Sequence, residues 1–139
     1  MSEPARLFTP AEANALLPRV APIVTSLRRA AAVVRATAPE VEELARRAAE
    51  GGGTRPTPDE RSARRALADA SETIARDLRE LDDLGVLVKD VGRGLLDFPS
   101  ERDGELVELC WLDGEPSVAH WHRVGEGFAG RRPLDADLD

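Results

Sequence analysis

The chain has 139 residues, 42% of them apolar and 32% charged, with a formal charge of −7. That length suits one domain with a modest core, expected to span residues 1–139. One cysteine excludes a disulfide framework. No apolar run approaches the ~20 residues that cross a bilayer, and Met1–Pro10 lacks a charged-then-apolar leader, so a reducing cytoplasm is the expected location. The acidic balance argues against nucleic-acid or anionic-membrane partners.

Charge and residue type shift along the chain. Through Glu50, seven Arg against six Glu give +1, and from Gly51 to Asp90 the balance is −2. From Val91 onward it is −6, and that last third holds both Trp, both His and the Cys. The first two thirds are rich in Ala, Arg and Leu. An α+β protein follows: a long antiparallel helical hairpin over residues 1–85, then a small antiparallel β-element of two to four short strands over residues 86–139.

The first helix opens with Thr9-Pro10-Ala11-Glu12, a capping hydroxyl followed by a proline whose missing N–H costs nothing and a carboxylate that reaches back. Leu16, Val20, Ile23, Leu27, Ala30, Val34, Thr37, Val41, Leu44 and Ala48 then recur at alternating steps of four and three. Only a helix puts that series on one stripe, and its seven-residue repeat suits coiled-coil packing against a partner helix. Pro18, Pro22 and Pro39 each remove a hydrogen bond; the heptad phase survives Pro39, which favours a kinked, continuous rod over a break there.

Gly51-Gly52-Gly53-Thr54-Arg55-Pro56 is a flexible connector, and Thr57-Pro58-Asp59-Glu60 starts the second helix with a second capping box. Leu67, Ala70, Ile74, Leu78, Leu81 and Leu84 keep one face, and Gly85 is placed to end the helix in the left-handed conformation. Two helices of roughly 60 and 40 Å, two layers thick, do not hide so long an apolar stripe. A homodimer through the helices is therefore expected.

Beyond Gly85 the period becomes two. Val86–Lys89, Gly94–Phe98, Glu105–Trp111 and Ser117–His122 read as strands, with Asp103-Gly104 and Asp113-Gly114 as hairpin turns. Alternation puts Val107, Leu109 and Trp111 on one face and Leu106, Glu108 and Cys110 on the other. It likewise puts Val118, His120 and His122 together, opposite Ala119 and Trp121. Gly125 to Pro133 reads as a glycine-rich loop ending in a basic pair.

Three stretches carry a family resemblance: Phe8-Thr9-Pro10-Ala11-Glu12-Ala13-Asn14 with Leu17-Pro18; Gly94-Leu95-Leu96-Asp97-Phe98-Pro99; and Leu109-Cys110-Trp111 through Gly114-Glu115 and Trp121-His122 to Gly127-Phe128-Ala129-Gly130-Arg131-Arg132-Pro133. Together they resemble the bacterial family known as domain of unknown function 2203, over nearly the whole chain. The resemblance implies helices plus a β-element and carries no established activity. The chain departs from the pattern at Arg123, where an acidic residue is expected, and at His120, where an aromatic is expected. A four-ligand set using either position therefore draws no support from the family.

His120 and His122, two apart on a strand, project to one side and can present two nitrogens to a divalent ion such as zinc, iron or manganese. Cys110, Asp97 and Glu115 are the candidates to complete that set. Each residue also has a plainer role. The histidines serve equally as half-exposed strand residues bonded to carbonyls or carboxylates, Cys110 as a small buried hydrophobe, and Asp97 and Glu115 as turn braces, with Glu115 holding Arg131 or Arg132. Those two arginines are in turn candidates for binding an anionic ligand. Trp111 and Trp121 read as core fillers.

Two functions fit. One is a non-enzymatic oligomeric binding module whose β-element takes a metal ion, an anion or a protein partner. The other is a metal-assisted hydrolase with His122, Cys110 or Asp97 as ligands and Glu115 as general base.

Overall fold

A computed structural model describes residues 6–51 and 55–134; residues 52–54 of the glycine connector, and the end segments 1–5 and 135–139, lie outside it. Helix α1 runs over Pro10–Ala49 and α2 over Pro58–Asp83. Both start as their capping boxes dictate: the Thr9 hydroxyl accepts from the Glu12 N–H while the Glu12 carboxylate accepts from the Thr9 N–H, and Thr57 and Glu60 repeat the pattern. Pro39 lies inside α1 without ending it. Gly85 takes φ +85° and closes α2, with the Val86 N–H donating to the Leu81 carbonyl.

The strands are β1 (Leu87–Asp90), β2 (Leu95–Arg102), β3 (Glu105–Leu112), β4 (His120–Arg123) and β5 (Arg132–Pro133), forming one antiparallel sheet in sequence order. The α+β hairpin-and-sheet architecture is as expected, with one strand more than the two to four anticipated. The extra strand is β5, in the segment read as loop: Arg132-Pro133 pairs with Trp121-His120, and a single 3-10 turn over Phe128–Gly130 precedes it.

The sheet's inner face carries Leu96, Phe98, Val107, Leu109, Trp111 and Trp121 into a core with Leu17, Val20, Val24 and Leu27 of α1 and Leu81 of α2. Polar ties fix the helices to the sheet. The Asn14 amide grips Val118 from both sides, its Nδ2 donating to the carbonyl at 3.0 Å and its Oδ1 accepting from the N–H at 2.7 Å. Arg28 reaches Asp113 at 2.8 Å and the Gly92 carbonyl. Between the helices, the Ser26 hydroxyl donates to the buried Asp77 carboxylate at 2.6 Å.

Two local expectations are corrected. Asp113-Gly114 makes a turn, with the Glu115 N–H on the Leu112 carbonyl, but it does not join β3 directly to β4. Residues 113–119 lie between the two strands, and β4 covers His120–Arg123 in place of Ser117–His122. Val118 therefore escapes strand alternation. Held by Asn14, it joins the core and does not share a face with His120 and His122.

Candidate functional site

The outer face of the sheet carries a patch of polar side chains that is nevertheless buried. Asp97 on β2, Glu108 and Cys110 on β3, and His122 on β4 are each 5% exposed or less. Pairing places Asp97 opposite Cys110 and Glu108 opposite His122, so four functional side chains from three adjacent strands converge on one patch.

The His122 ring is fixed at both nitrogens. Nδ1 lies 2.8 Å from the Arg123 carbonyl, which can only accept, so Nδ1 carries the hydrogen. Nε2 is left facing Asp97 Oδ1 at 3.0 Å. One proton must sit between these two atoms, as an imidazolium facing a carboxylate or as a carboxylic acid facing a neutral ring. Burial pushes the Asp97 carboxyl up, the His122 ring pulls it back, and the result stays above the ordinary carboxylate value. Lys89 reaches Glu108 at 3.3 Å and Asp97 at 3.8 Å, supplying a positive charge at the mouth of the patch.

Cys110 completes the group. Its Sγ, one Asp97 oxygen and one His122 nitrogen all lie within 4.8 Å of one another. Burial pushes the thiol up to about 11; Arg131 opposes that, and the Asp97 and Glu115 carboxylates reinforce it. At neutral pH the sulfur is therefore a thiol, and a cation that binds it must displace a proton.

The remaining candidates form a second layer against the same cysteine. The Arg131 guanidinium grips both Glu115 oxygens and approaches Cys110 Sγ at 3.7 Å. Glu115 also accepts from the Leu112 N–H at 2.8 Å. Burial pushes Glu115 up, but Arg131 and that N–H outweigh it and hold the carboxyl below its ordinary value. His120 stands across from Cys110 in the β3–β4 pairing, yet its ring is directed to Glu115, with Nδ1 4.0 Å from that carboxylate and without a hydrogen-bond partner among the described residues. Arg132 is engaged by Glu126 at 3.1 and 3.2 Å. Trp111 and Trp121 are core residues, Trp111 donating its indole N–H to the Glu115 carbonyl.

The structure thus brings Asp97, Cys110 and His122 together, sets Glu115, Arg131 and His120 beside them, and leaves Arg132 apart. Sequence reasoning missed Glu108 and Lys89 as members of the patch. Period-two alternation already put Glu108 on the Cys110 face, and that was the available signal.

Because Glu115 is held below its ordinary value of 4.5, its pairing with Arg131 stabilises the fold above that pH and loses this contribution as the pH falls through the lower folded value. Glu115→Gln is accordingly expected to lower the urea midpoint at pH 7 and to converge with the unsubstituted protein in acid. A midpoint difference that does not shrink below about pH 4 would contradict this.

A helical hairpin docked on one face of a five-stranded antiparallel sheet, with a buried carboxylate, thiol and imidazole on the other face, defines the class of this protein. The chain belongs to the family described as uncharacterized conserved protein (DUF2203), whose model matches residues 6–134. No curated protein and no solved structure matches the chain. No helix is long and apolar enough to cross a membrane among the described residues.

Proposed function

We propose that this chain is a binding module that holds one divalent cation between Asp97, Cys110 and His122. The observation that carries this reading is the convergence of three different donor types, all buried, within 4.8 Å. The His122 orientation supports it, because a metal-binding imidazole usually donates its second N–H to a carbonyl or carboxylate, as Nδ1 does to Arg123. Thiolate, imidazole and carboxylate bind zinc at about 2.0–2.3 Å. An ion bonded to all three needs only small side-chain shifts to replace the proton between Asp97 and His122. Mixed sulfur, nitrogen and oxygen donors favour zinc or ferrous iron over magnesium or calcium. Glu115 would serve a hydrolase as base, but Arg131 already occupies both its oxygens, and binding is the better-supported reading.

The test is titration of chelator-treated protein with Zn²⁺ by calorimetry and with Co²⁺ by absorption. One ion per chain and a sulfur-to-cobalt charge-transfer band are expected. Asp97→Asn should fold as the parent does, since the amide can donate to His122 Nε2, and yet bind at least about tenfold more weakly. A folded protein that takes up neither ion would refute the proposal.

The helical hairpin is the proposed self-association surface. Beyond Ala30, α1 buries no side chain among the described residues; Val33 is 38% exposed, and Val34, Val41 and Leu44 are only half-buried. Light scattering on the full chain should give a dimer that Val33→Glu with Val41→Glu converts to a monomer. A monomeric parent chain would remove this part of the proposal.

A further inference from the structure

A second site lies on the inner side of the sheet, at the end away from the buried polar patch. Residues Leu7–Pro10 cross the end of β2, the Phe8 N–H donating to the Pro99 carbonyl at 2.7 Å and the Ser100 hydroxyl to the Phe8 carbonyl. Between this segment and the tip of the β2–β3 hairpin opens a cleft of about 380 Å³, within the usual range of small-molecule sites, about 300–1000 Å³. Val107, Leu109, Leu134 and the Trp121 indole form the apolar part of a mixed lining.

Among its described lining residues, Arg102 is the cation. Three guanidiniums crowd Trp121: Arg102 at 4.2 Å from the ring centroid, Arg132 at 4.9 Å and Arg123 at 5.7 Å. Two of them have carboxylates, Arg132 with Glu126 and Arg123 with Glu105. Arg102 Nη1 is shielded from solvent and has no hydrogen-bond partner among the described residues. A shielded cationic donor without an acceptor is costly and unusual in a folded protein. Stacking on Trp121 orients the guanidinium, so a small side-chain shift that uncovers Nη1 offers its fork to a ligand with little further loss of side-chain freedom.

We propose that this cleft binds a small monocarboxylate, with Arg102 taking the carboxylate as a bidentate fork and Val107, Leu109, Leu134 and Trp121 taking the hydrocarbon body. The rim selects the charge. Glu12, Glu101 and Asp103 line the same opening, and they repel a phosphate dianion more than a single carboxylate. Glu12 is committed to the Thr9 N–H, and that backbone bond holds its carboxyl below the ordinary value.

The experiment is a titration of the full ¹⁵N-labelled chain, followed at the Trp121 indole N–H and the Arg102 Nε–H, with phenylacetate, phenylacetamide and phenyl phosphate as probes. Phenylacetate should shift both signals and saturate in the millimolar range or below. Phenylacetamide should bind about tenfold more weakly or worse, since it cannot accept a charge-assisted fork. Phenyl phosphate should also be weaker. Arg102→Gln should reduce phenylacetate affinity about tenfold or more, while Asp97→Asn leaves it unchanged. Equal binding of acid and amide, tighter binding of phenyl phosphate, full affinity in a folded Arg102→Gln, or no saturable shift up to about 10 mM would each overturn the assignment. Were Arg102→Gln to unfold, the acid and amide comparison on the unsubstituted chain still decides it.

Discussion

His122→Ala is expected to destabilise the metal-free protein by about 3 kcal/mol, or roughly 10 °C in melting temperature for a domain of this size. The imidazole is 2% exposed and makes two hydrogen bonds, to the Arg123 carbonyl and to Asp97. Its removal opens a cavity, and it strips Asp97, itself 2% exposed, of the partner that holds its carboxyl down against burial. Lys89 at 3.8 Å is a poor substitute, because it also serves Glu108 and is 41% exposed. Truncating one partner of a buried pair costs more than replacing both, since nothing is then left unpaired. Asp97→Leu combined with His122→Leu should therefore recover part of the loss, with Lys89 remaining on Glu108. Thermal unfolding of the three variants in chelator separates this effect from any contribution of a bound ion. A single alanine variant within about 1 kcal/mol of the parent would show that the pair is not a structural element.

How much of this patch was legible depends on which turn sets each register. Asp103 and Gly104 take φ +52° and +78°, the two-residue turn that an Asp-Gly pair favours. With Arg102 opposite Glu105, counting back along both strands puts Asp97 opposite Cys110, as observed. That half of the site follows from the sequence alone. The β3–β4 register does not, because residues 113–119 intervene and their path is fixed by a long-range clamp, Asn14 on Val118. Hence alternation alone set Val118 beside His120 and His122, and could not decide which histidine would meet Cys110. Glu108 was missed for a related reason: burial of the outer face arises in three dimensions, and an isolated Glu in a strand looks solvent-facing, whereas Lys89 is exposed and joins the patch only through its ammonium, which reaches Glu108 and Asp97. The helices were the most legible part, since capping boxes and a 3.6-residue period are written within each segment.

Gly94 shows how a single position joins these local and long-range constraints, and Gly94→Ala is expected to cost about 2–4 kcal/mol. The residue sits in the left-handed region at φ +69°, where a side chain is strained by about 1 kcal/mol whatever surrounds it. Space is the larger obstacle. A Cβ there would stand 2.6 Å from the Asp113 Cβ, 3.0 Å from the Arg28 Cδ and 3.2 Å from a Val24 methyl. Arg28 could swing away only by giving up Asp113 and the Gly92 carbonyl, the contacts that tie α1 to both turns. The Asp113 N–H also donates to the Gly94 carbonyl, so displacing this glycine loosens the β3–β4 connection that carries Glu115. Gly104 is the control. It has φ +78° and nothing within 4 Å of its added Cβ, so Gly104→Ala bears the conformational strain without the clash. Its cost should stay near 1 kcal/mol. Urea denaturation of the two variants side by side isolates the packing contribution at Gly94, and equal midpoints would show that the close approach of α1 to this turn is not maintained in solution.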